Sequence, residues 1–240
     1  MNHYDNPEFF AAYAQMARSQ YGLEGAGEWH QLKPLFPDVR GKSVLDLGCG
    51  YGWHCRYASE LGAAEVLGVD RSERMIREAL RRNPGENITY RVCDLLEYDY
   101  PEDRFDAVVS NLVLHYVEDL DNVYHRIKRT LRPGGVFLMN IEHPTFTAGV
   151  HQQWQSDGKK KLCWPVDNYY YPGERATDFL GFEIRKYHHT LTQILGGLLK
   201  AGFLLEAVEE AMPPENMMHL PGMADEMRRP MMLLVRARKA

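Results

Sequence analysis

Short β-branched runs alternate with stretches of helical period through the first two thirds of the chain, and the alternation predicts its elements. Ser43–Leu47 (SVLDL) is a continuous apolar run interrupted by one acid, which reads as a buried strand. Glycines follow, then a helix to about Leu61. Glu65–Asp70 is a second strand, after which Ser72 can cap a helix carrying Met75, Ile76, Ala79 and Leu80 on one face. Ile88–Val92 and Phe105–Ser110 are the third and fourth strands. Leu120, Val123, Ile127 and Leu131 then recur at spacings of three and four. They predict a helix over Asp119–Leu131, stopped by Pro133-Gly134-Gly135 ahead of a fifth strand, Gly135–Ile141. Strands separated by helices of this length require right-handed crossovers, and so a parallel sheet.

After His143 the period is lost. Residues 143–180 are rich in Trp, Tyr, Pro and charge, and so long a stretch without regular structure reads as a lid or binding loop. Order returns with a strand at Phe182–Tyr187. Thr190 and Gln193 then form a capping box before Leu191, Ile194, Leu195, Leu198 and Leu199, and Gly202 is placed to end that helix. Leu204–Glu209 and Met231–Val235 are the last strands. Phe9, Phe10, Tyr13, Tyr21 and Trp29 mark the first forty residues as helical material packed at the edge or mouth of the sheet. The expected organisation is one domain over 1–240: a helical cap (1–40), a ligand-binding half (41–142), a lid (143–181) and the C-terminal part of the sheet (182–240).

Composition narrows the setting. The 240 residues carry 28 Lys and Arg against 33 Asp and Glu, a net charge of −5, so a nucleic-acid partner, which needs a basic face, is not expected. Lys159, Lys160 and Lys161 read as a solvated loop. No run approaches the roughly 18 apolar residues of a membrane span. MNHYDNPEFF lacks the basic and apolar regions of a secretory signal. Cys49, Cys55, Cys93 and Cys163 form no CxxC pair, as in a reduced compartment. The expectation is a cytoplasmic protein that does not engage a membrane.

Chemistry concentrates after the first strand, in Asp46-Leu47-Gly48-Cys49-Gly50-Tyr51-Gly52. Glycines at a strand-to-helix turn let a ligand approach the backbone, and the helix start offers free N–H groups. Asp70 ends the second strand 24 residues after Asp46, where a carboxylate can bond ribose hydroxyls. Dinucleotide sites read G-x-G-x-x-G, whereas this turn reads G-x-G-x-G with an acid two residues ahead. A negative charge there opposes a pyrophosphate and suits a ligand with cationic groups, such as the ammonium and sulfonium of S-adenosylmethionine.

Val44–Gly52 (VLDLGCGYG) resembles the first motif of class I S-adenosylmethionine-dependent methyltransferases. Gly68-Val69-Asp70, Cys93-Asp94-Leu95, Ser110–Tyr116 (SNLVLHY) and Leu131–Gly135 (LRPGG) resemble that family's later motifs, in order. The resemblance covers about residues 40–142 and is closest to the type 11, quinone-biosynthesis-like group. It implies a Rossmann-like α/β fold with a seven-stranded, mostly parallel sheet flanked by helices. It also implies S-adenosylmethionine as cofactor and S-adenosylhomocysteine as product. Asp46, Gly48, Cys49 and Gly50 would line the methionyl part and Asp70 would hold the ribose diol. Arg71 and Met75 would cover the adenine, Asp94 and Leu95 would bond it, and Asn111 and His115 would close the site near the methyl group.

Methyl transfer is an in-line displacement in which the protein aligns the nucleophile about 3 Å from the methyl carbon and excludes water. Where a base is needed, His115, His143, His188 and His189 are the candidates, His115 and His143 first; His143 follows the fifth strand and so should face the cleft. His188-His189 has no third partner at ligand spacing and reads as structural, so no metal is expected. The strand-four motif Ser110-Asn111-Leu112-Val113 lacks the Asn/Asp-Pro-Pro-aromatic run of base-amino methyltransferases. Trp154, Trp164, Tyr169, Tyr170 and Tyr171 are expected above the cleft around a small, partly apolar acceptor. The same rings could instead pack the lid or a subunit interface, which leaves a homodimer open. Two other readings stand beside methyl transfer: a nicotinamide-dependent oxidoreductase, disfavoured by the turn, and a non-catalytic S-adenosylmethionine-binding module.

Overall fold

A computed structural model describes residues 2–149 and 151–240. Its centre is a seven-stranded sheet of β1 (Ser43–Leu47), β2 (Glu65–Asp70), β3 (Ile88–Val92), β4 (Phe105–Asn111), β5 (Leu131–Glu142), β10 (Phe203–Glu210) and β11 (Met232–Lys239). Across the sheet they run β3-β2-β1-β4-β5-β11-β10. The first five are parallel; β11 runs antiparallel to both β5 and β10. The strand order reverses between β1 and β4, which opens a crevice at their carboxyl ends.

Helices cover both faces of this sheet. On one, α6 (Leu120–Thr130) presents Leu120, Val123, Tyr124 and Ile127 to Leu45, Leu47, Val108 and Phe137. On the other, α3 (Trp29–Leu35) and α4 (Trp53–Glu60) bury Trp29, Leu32, Cys55 and Ala58 against Val44, Val66 and Val109. Parallel strands covered on both faces are mostly apolar, and β1 is buried along its whole length, Asp46 included. Helix α5 (Glu73–Arg82) starts where the sequence places it, with Ser72 Oγ accepting from the Met75 N–H at 3.2 Å.

Extended backbone resumes at Leu131, immediately after α6, so β5 takes in the Pro133-Gly134-Gly135 turn that the sequence assigns to the connection. Thr190 and Gln193 form the reciprocal capping box: the Thr190 N–H donates to Gln193 Oε1 (3.0 Å) and the Gln193 N–H to Thr190 Oγ1 (3.2 Å). They open a π-helical turn, Thr192–Gly196, that runs into α8 (Gly197–Lys200) and ends at Gly202.

Two regions lie over the crevice. The N-terminal arm contributes α1 (Pro7–Tyr13) and α2 (Ala17–Tyr21). The segment after β5 has more regular structure than its sequence suggests: α7 (Pro144–Thr147), a small hairpin of β6 (Gln155–Ser156) and β7 (Lys161–Cys163), and a longer hairpin of β8 (Gly173–Phe179) and β9 (Phe182–His188). The strand predicted at Phe182–Tyr187 therefore pairs with β8 and lies outside the large sheet. Alternation in β8 is visible only against its partner: Arg175, Thr177, Ile184 and Lys186 turn inward, and most of these are polar. Phe9 joins the arm to this hairpin, with ring centroids 6.0 Å from Phe179 and 5.5 Å from Phe182. Among the described residues, no helix is long and apolar enough to cross a membrane.

Candidate active site

The crevice holds a cavity of about 260 Å³. Its floor is the turn after β1, where Gly48, Gly50 and Gly52 all have positive φ (72°, 52° and 79°). Close packing adds to that demand, since a Cβ at Gly48 would stand 2.3 Å from the Val113 side chain and one at Gly52 2.2 Å from the Tyr90 hydroxyl. Nothing lies within 4 Å of the Cβ position of Gly50, which lines the cavity and leaves its backbone open to a ligand.

Asp70, at the end of β2, also lines the cavity. Its carboxylate accepts from the Gly50 N–H at 3.0 Å and the Ser72 N–H at 2.8 Å, so the turn and the start of α5 are fixed to it. Burial raises its pKa to about 6, against the pull of those two donors. Arg71, Met75, Asp94, Leu95, Asn111 and His115 complete the predicted lining. Asn111 is held by Asn140, whose Nδ2 donates to its Oδ1 at 2.8 Å. Asp94 accepts from the Leu96 N–H (3.0 Å) and lies 3.6 Å from Arg71.

Asp46 and Cys49 are not in this wall. The pleat of β1 turns Asp46 under the glycines, where it is 1% exposed and accepts from the Cys55 thiol at 3.3 Å. Burial raises its pKa to about 7. Cys49 lines a second chamber of about 80 Å³ that shares Tyr13, Arg18, Gly48, Gly50 and Asn111 with the first. Ser19 Oγ, Tyr51 Oη, Trp53 Nε1 and His54 Nε2 stand there, buried and without partners. Arg18 in its wall makes two bonds to the buried Glu28, at 3.1 and 3.0 Å.

His143 departs from expectation. Its ring N-caps α7, with Nδ1 accepting from the Thr145 N–H at 3.1 Å, and Nε2 lies 3.0 Å from Glu210, away from the cavity. A histidine directly before a Pro-initiated helix satisfies that helix start. His115 does line the cavity. It is 3% exposed, its Nε2 is 3.9 Å from Glu142 Oε1, its Nδ1 has no partner, and burial lowers its pKa to about 4. His188 is held between Thr147 and the Tyr169 carbonyl, and His189 Nε2 donates to the Val117 carbonyl at 2.8 Å.

The lid aromatics also fall elsewhere. Trp164 stacks on Phe146 (5.2 Å, 8°), Arg229 lies 4.4 Å over its ring, and Trp154 meets it edge-on. Tyr169 packs on His188, while Tyr170 and Tyr171 face solvent. The rings that enclose the cavity are Tyr4, Tyr13, Tyr116, Phe146 and Phe179. Tyr4 and Tyr116, both in its wall, share a hydroxyl contact of 3.1 Å. The sequence also gives no sign of Glu142 and Lys186 on the inner wall. Lys186 Nζ donates to Glu142 Oε1 at 2.5 Å, and both are nearly fully buried. Burial works to raise the Glu142 carboxyl, but the neighbouring positive charge, from His115 when protonated and from Lys186, outweighs it and holds it below its ordinary value.

Known proteins are similar to this chain. A family model described as methyltransferase domain matches residues 45–139. A solved structure from Listeria monocytogenes, described as an S-adenosylmethionine-dependent methyltransferase, is 44% identical, covers 91% of this chain and 99% of its own, and superposes with a TM-score of 0.87. Another from Mesorhizobium loti, with the same description, is 42% identical over 90% of this chain and 100% of its own, with a TM-score of 0.84. Among curated proteins, the malonyl-[acyl-carrier protein] O-methyltransferase of Salmonella typhimurium is 29% identical over 79% of this chain and 74% of its own length.

Proposed function

The chain belongs to the S-adenosylmethionine-dependent methyltransferases of class I, and from that premise we propose that it methylates a small molecule, by in-line displacement, inside the cavity. The nicotinamide reading falls away with that membership. One observation carries the proposal. The glycine turn and Asp70 share a single cavity with an inner wall contributed by β5 and the lid hairpin, so cofactor and acceptor have adjoining places.

The residues present fit the cofactor. When bound, S-adenosylmethionine supplies a methyl group on a sulfonium, already activated for displacement. The exposed backbone at Gly50 lets it lie close, and Asp70, mostly ionised at pH 7, accepts from the ribose diol. Met75 and Leu95 pack on the adenine, Arg71 covers it and Asp94 accepts from its amino group. The donors of Ser19 and Trp53, which have no partners, and the N–H groups of Arg18 left over from its two bonds to Glu28 give the second chamber hydrogen bonds for the polar end of the methionyl part. Asp46 sits beneath as a partial negative charge facing a cationic ligand. Where the acceptor must lose a proton, His115 can take it at Nδ1, with Glu142 at 3.9 Å to stabilise the imidazolium that results. The arm and lid exclude water.

The test is transfer from methyl-labelled cofactor into a cell extract separated into metabolite, protein and RNA fractions. Label is expected in the metabolite fraction. Label in protein or RNA would refute the small-molecule reading, and no label in any fraction, with cofactor bound, would favour a non-catalytic binding module.

A further inference from the structure

The inner wall holds a buried ion pair that cofactor binding does not use. Glu142 ends β5 and Lys186 comes from β9 of the lid; they are 7% and 5% exposed, and Lys186 Nζ meets Glu142 Oε1 at 2.5 Å. Both line the cavity. Glu142 Oε2 is buried without a hydrogen-bond partner, and so is Nδ1 of His115, whose Nε2 lies 3.9 Å from Glu142 Oε1. A buried acceptor left unpaired costs free energy comparable to a lost hydrogen bond, and here it belongs to a side chain that lines a binding cavity. That oxygen lacks a donor, and a molecule bound against this wall can bring one.

Charge limits what that donor can be. The two partners are matched, so the pair is close to neutral as a unit. An anionic group at Oε2 would meet a carboxylate, and an ammonium would stand within a few ångströms of the Lys186 cation. Both would be taken out of water in a cavity walled by Tyr4, Tyr116, Phe146 and Phe179, where a poorly compensated charge is costly. A hydroxyl escapes both penalties. It donates to Glu142 Oε2 and can accept from Lys186 Nζ, which has protons beyond the one given to Oε1.

We propose that the Glu142–Lys186 pair is the specificity element of the acceptor site, selecting an uncharged, hydroxyl-bearing molecule on an apolar, ring-sized frame, whichever of its atoms takes the methyl group. This rests on the reading of the cavity as a joint cofactor and acceptor site. The pair reaches from the end of β5 to the lid, so it also joins the acceptor's place to the element that covers it. Glu142 and Lys186 act here by recognition.

The experiment uses the full chain saturated with S-adenosylhomocysteine and one-ring probes titrated by ligand-observed NMR: benzyl alcohol, toluene, benzoate and benzylamine. Benzyl alcohol is expected to bind at least fivefold more tightly than each of the other three. Equal or tighter binding of benzoate or benzylamine would overturn the charge argument, and equal binding of toluene would overturn the hydroxyl. Binding of none of the four, with the nucleoside bound, would overturn the proposal while leaving the cofactor site intact. Failure of S-adenosylhomocysteine itself to bind would instead refute the parent reading. Glu142→Gln leaves Lys186 unmatched, so benzoate should gain at least tenfold relative to benzyl alcohol. An unchanged ratio in a folded variant would overturn the proposal, and the wild-type comparison stands whether or not the variant folds.

Discussion

Replacing Asp46 by Asn should stabilise the protein, and should do so as a function of pH. Asp46 is 1% exposed, and its pKa is raised to about 7 from an ordinary 3.8. A carboxyl with a folded pKa above its unfolded value holds its proton more tightly in the folded state, so stability falls as pH rises through the interval between the two. At pH 8 the ionised form costs about 4 kcal/mol relative to an unperturbed carboxylate, since each tenfold rise in proton affinity is worth about 1.4 kcal/mol. Asn keeps the shape and an oxygen for the Cys55 thiol, but its new N–H groups enter a site with no acceptor provided, at about 1–3 kcal/mol. The net gain at pH 8 is about 1–3 kcal/mol. For a chain of this size each kcal/mol moves Tm by about 2–4 °C. At pH 5 the folded wild type has already taken up the proton, and the gain should shrink by about 3 kcal/mol, to zero or below. Thermal unfolding of both proteins at pH 5 and 8 measures this. A stability difference independent of pH, or a variant less stable at pH 8, would refute the assignment of a buried, reluctantly ionised carboxylate. The same variant should bind S-adenosylmethionine more weakly, because the charge facing its cationic groups is gone.

Further outcomes follow from the other walls. Asp70→Ala should weaken cofactor binding by more than tenfold in calorimetry without loss of the fold; unchanged affinity would remove Asp70 from the site. Because the Asp46 and Asp70 carboxyls titrate near pH 7 and pH 6, wild-type affinity should decline as pH falls through both values, and in Asp46→Asn the decline should be confined to the region around pH 6. A binding curve flat from pH 7.5 to 5 would contradict both roles. Gly52→Ala combines a φ of 79° with a Cβ 2.2 Å from the Tyr90 hydroxyl, and should lower Tm by several degrees as well as weakening cofactor binding. Phe9→Ala removes the contact between the arm and the lid hairpin. It should raise the acceptor KM more than it alters cofactor affinity, and an unchanged KM would show that this contact does not keep the cavity closed.

The parallel half of this molecule is readable because each of its signals is local. β2 and β3 lie on the predicted residues, Ser72 caps α5, and the Thr190–Gln193 box forms, since short β-branched runs between helical stretches mark the strands and caps need only a few neighbours. What stays hidden depends on partners distant in sequence. β8 carries no legible period because its inward residues include Arg175 and Thr177, and Arg175 finds its acceptors only in the folded lid. Glu142 and Lys186 are 44 residues apart and gain meaning only once β9 folds back over β5. His143 is the instructive exception, since its place after β5 points toward the cleft but the helix start behind it takes the ring. Tyr4, Tyr13 and Arg18 enter the site by the docking of the arm, which the pattern places at the mouth of the sheet without assigning their side chains.

A crystal structure of the complex with S-adenosylhomocysteine tests the central assignment most directly. The ribose hydroxyls are expected on Asp70, the adenine between Met75 and Leu95, the polar end of the homocysteine part toward Arg18, and the sulfur facing the wall of His115 and Glu142. A nucleoside bound elsewhere, or in this cavity with its sulfur turned away from that wall, would contradict the account of where the methyl group is delivered.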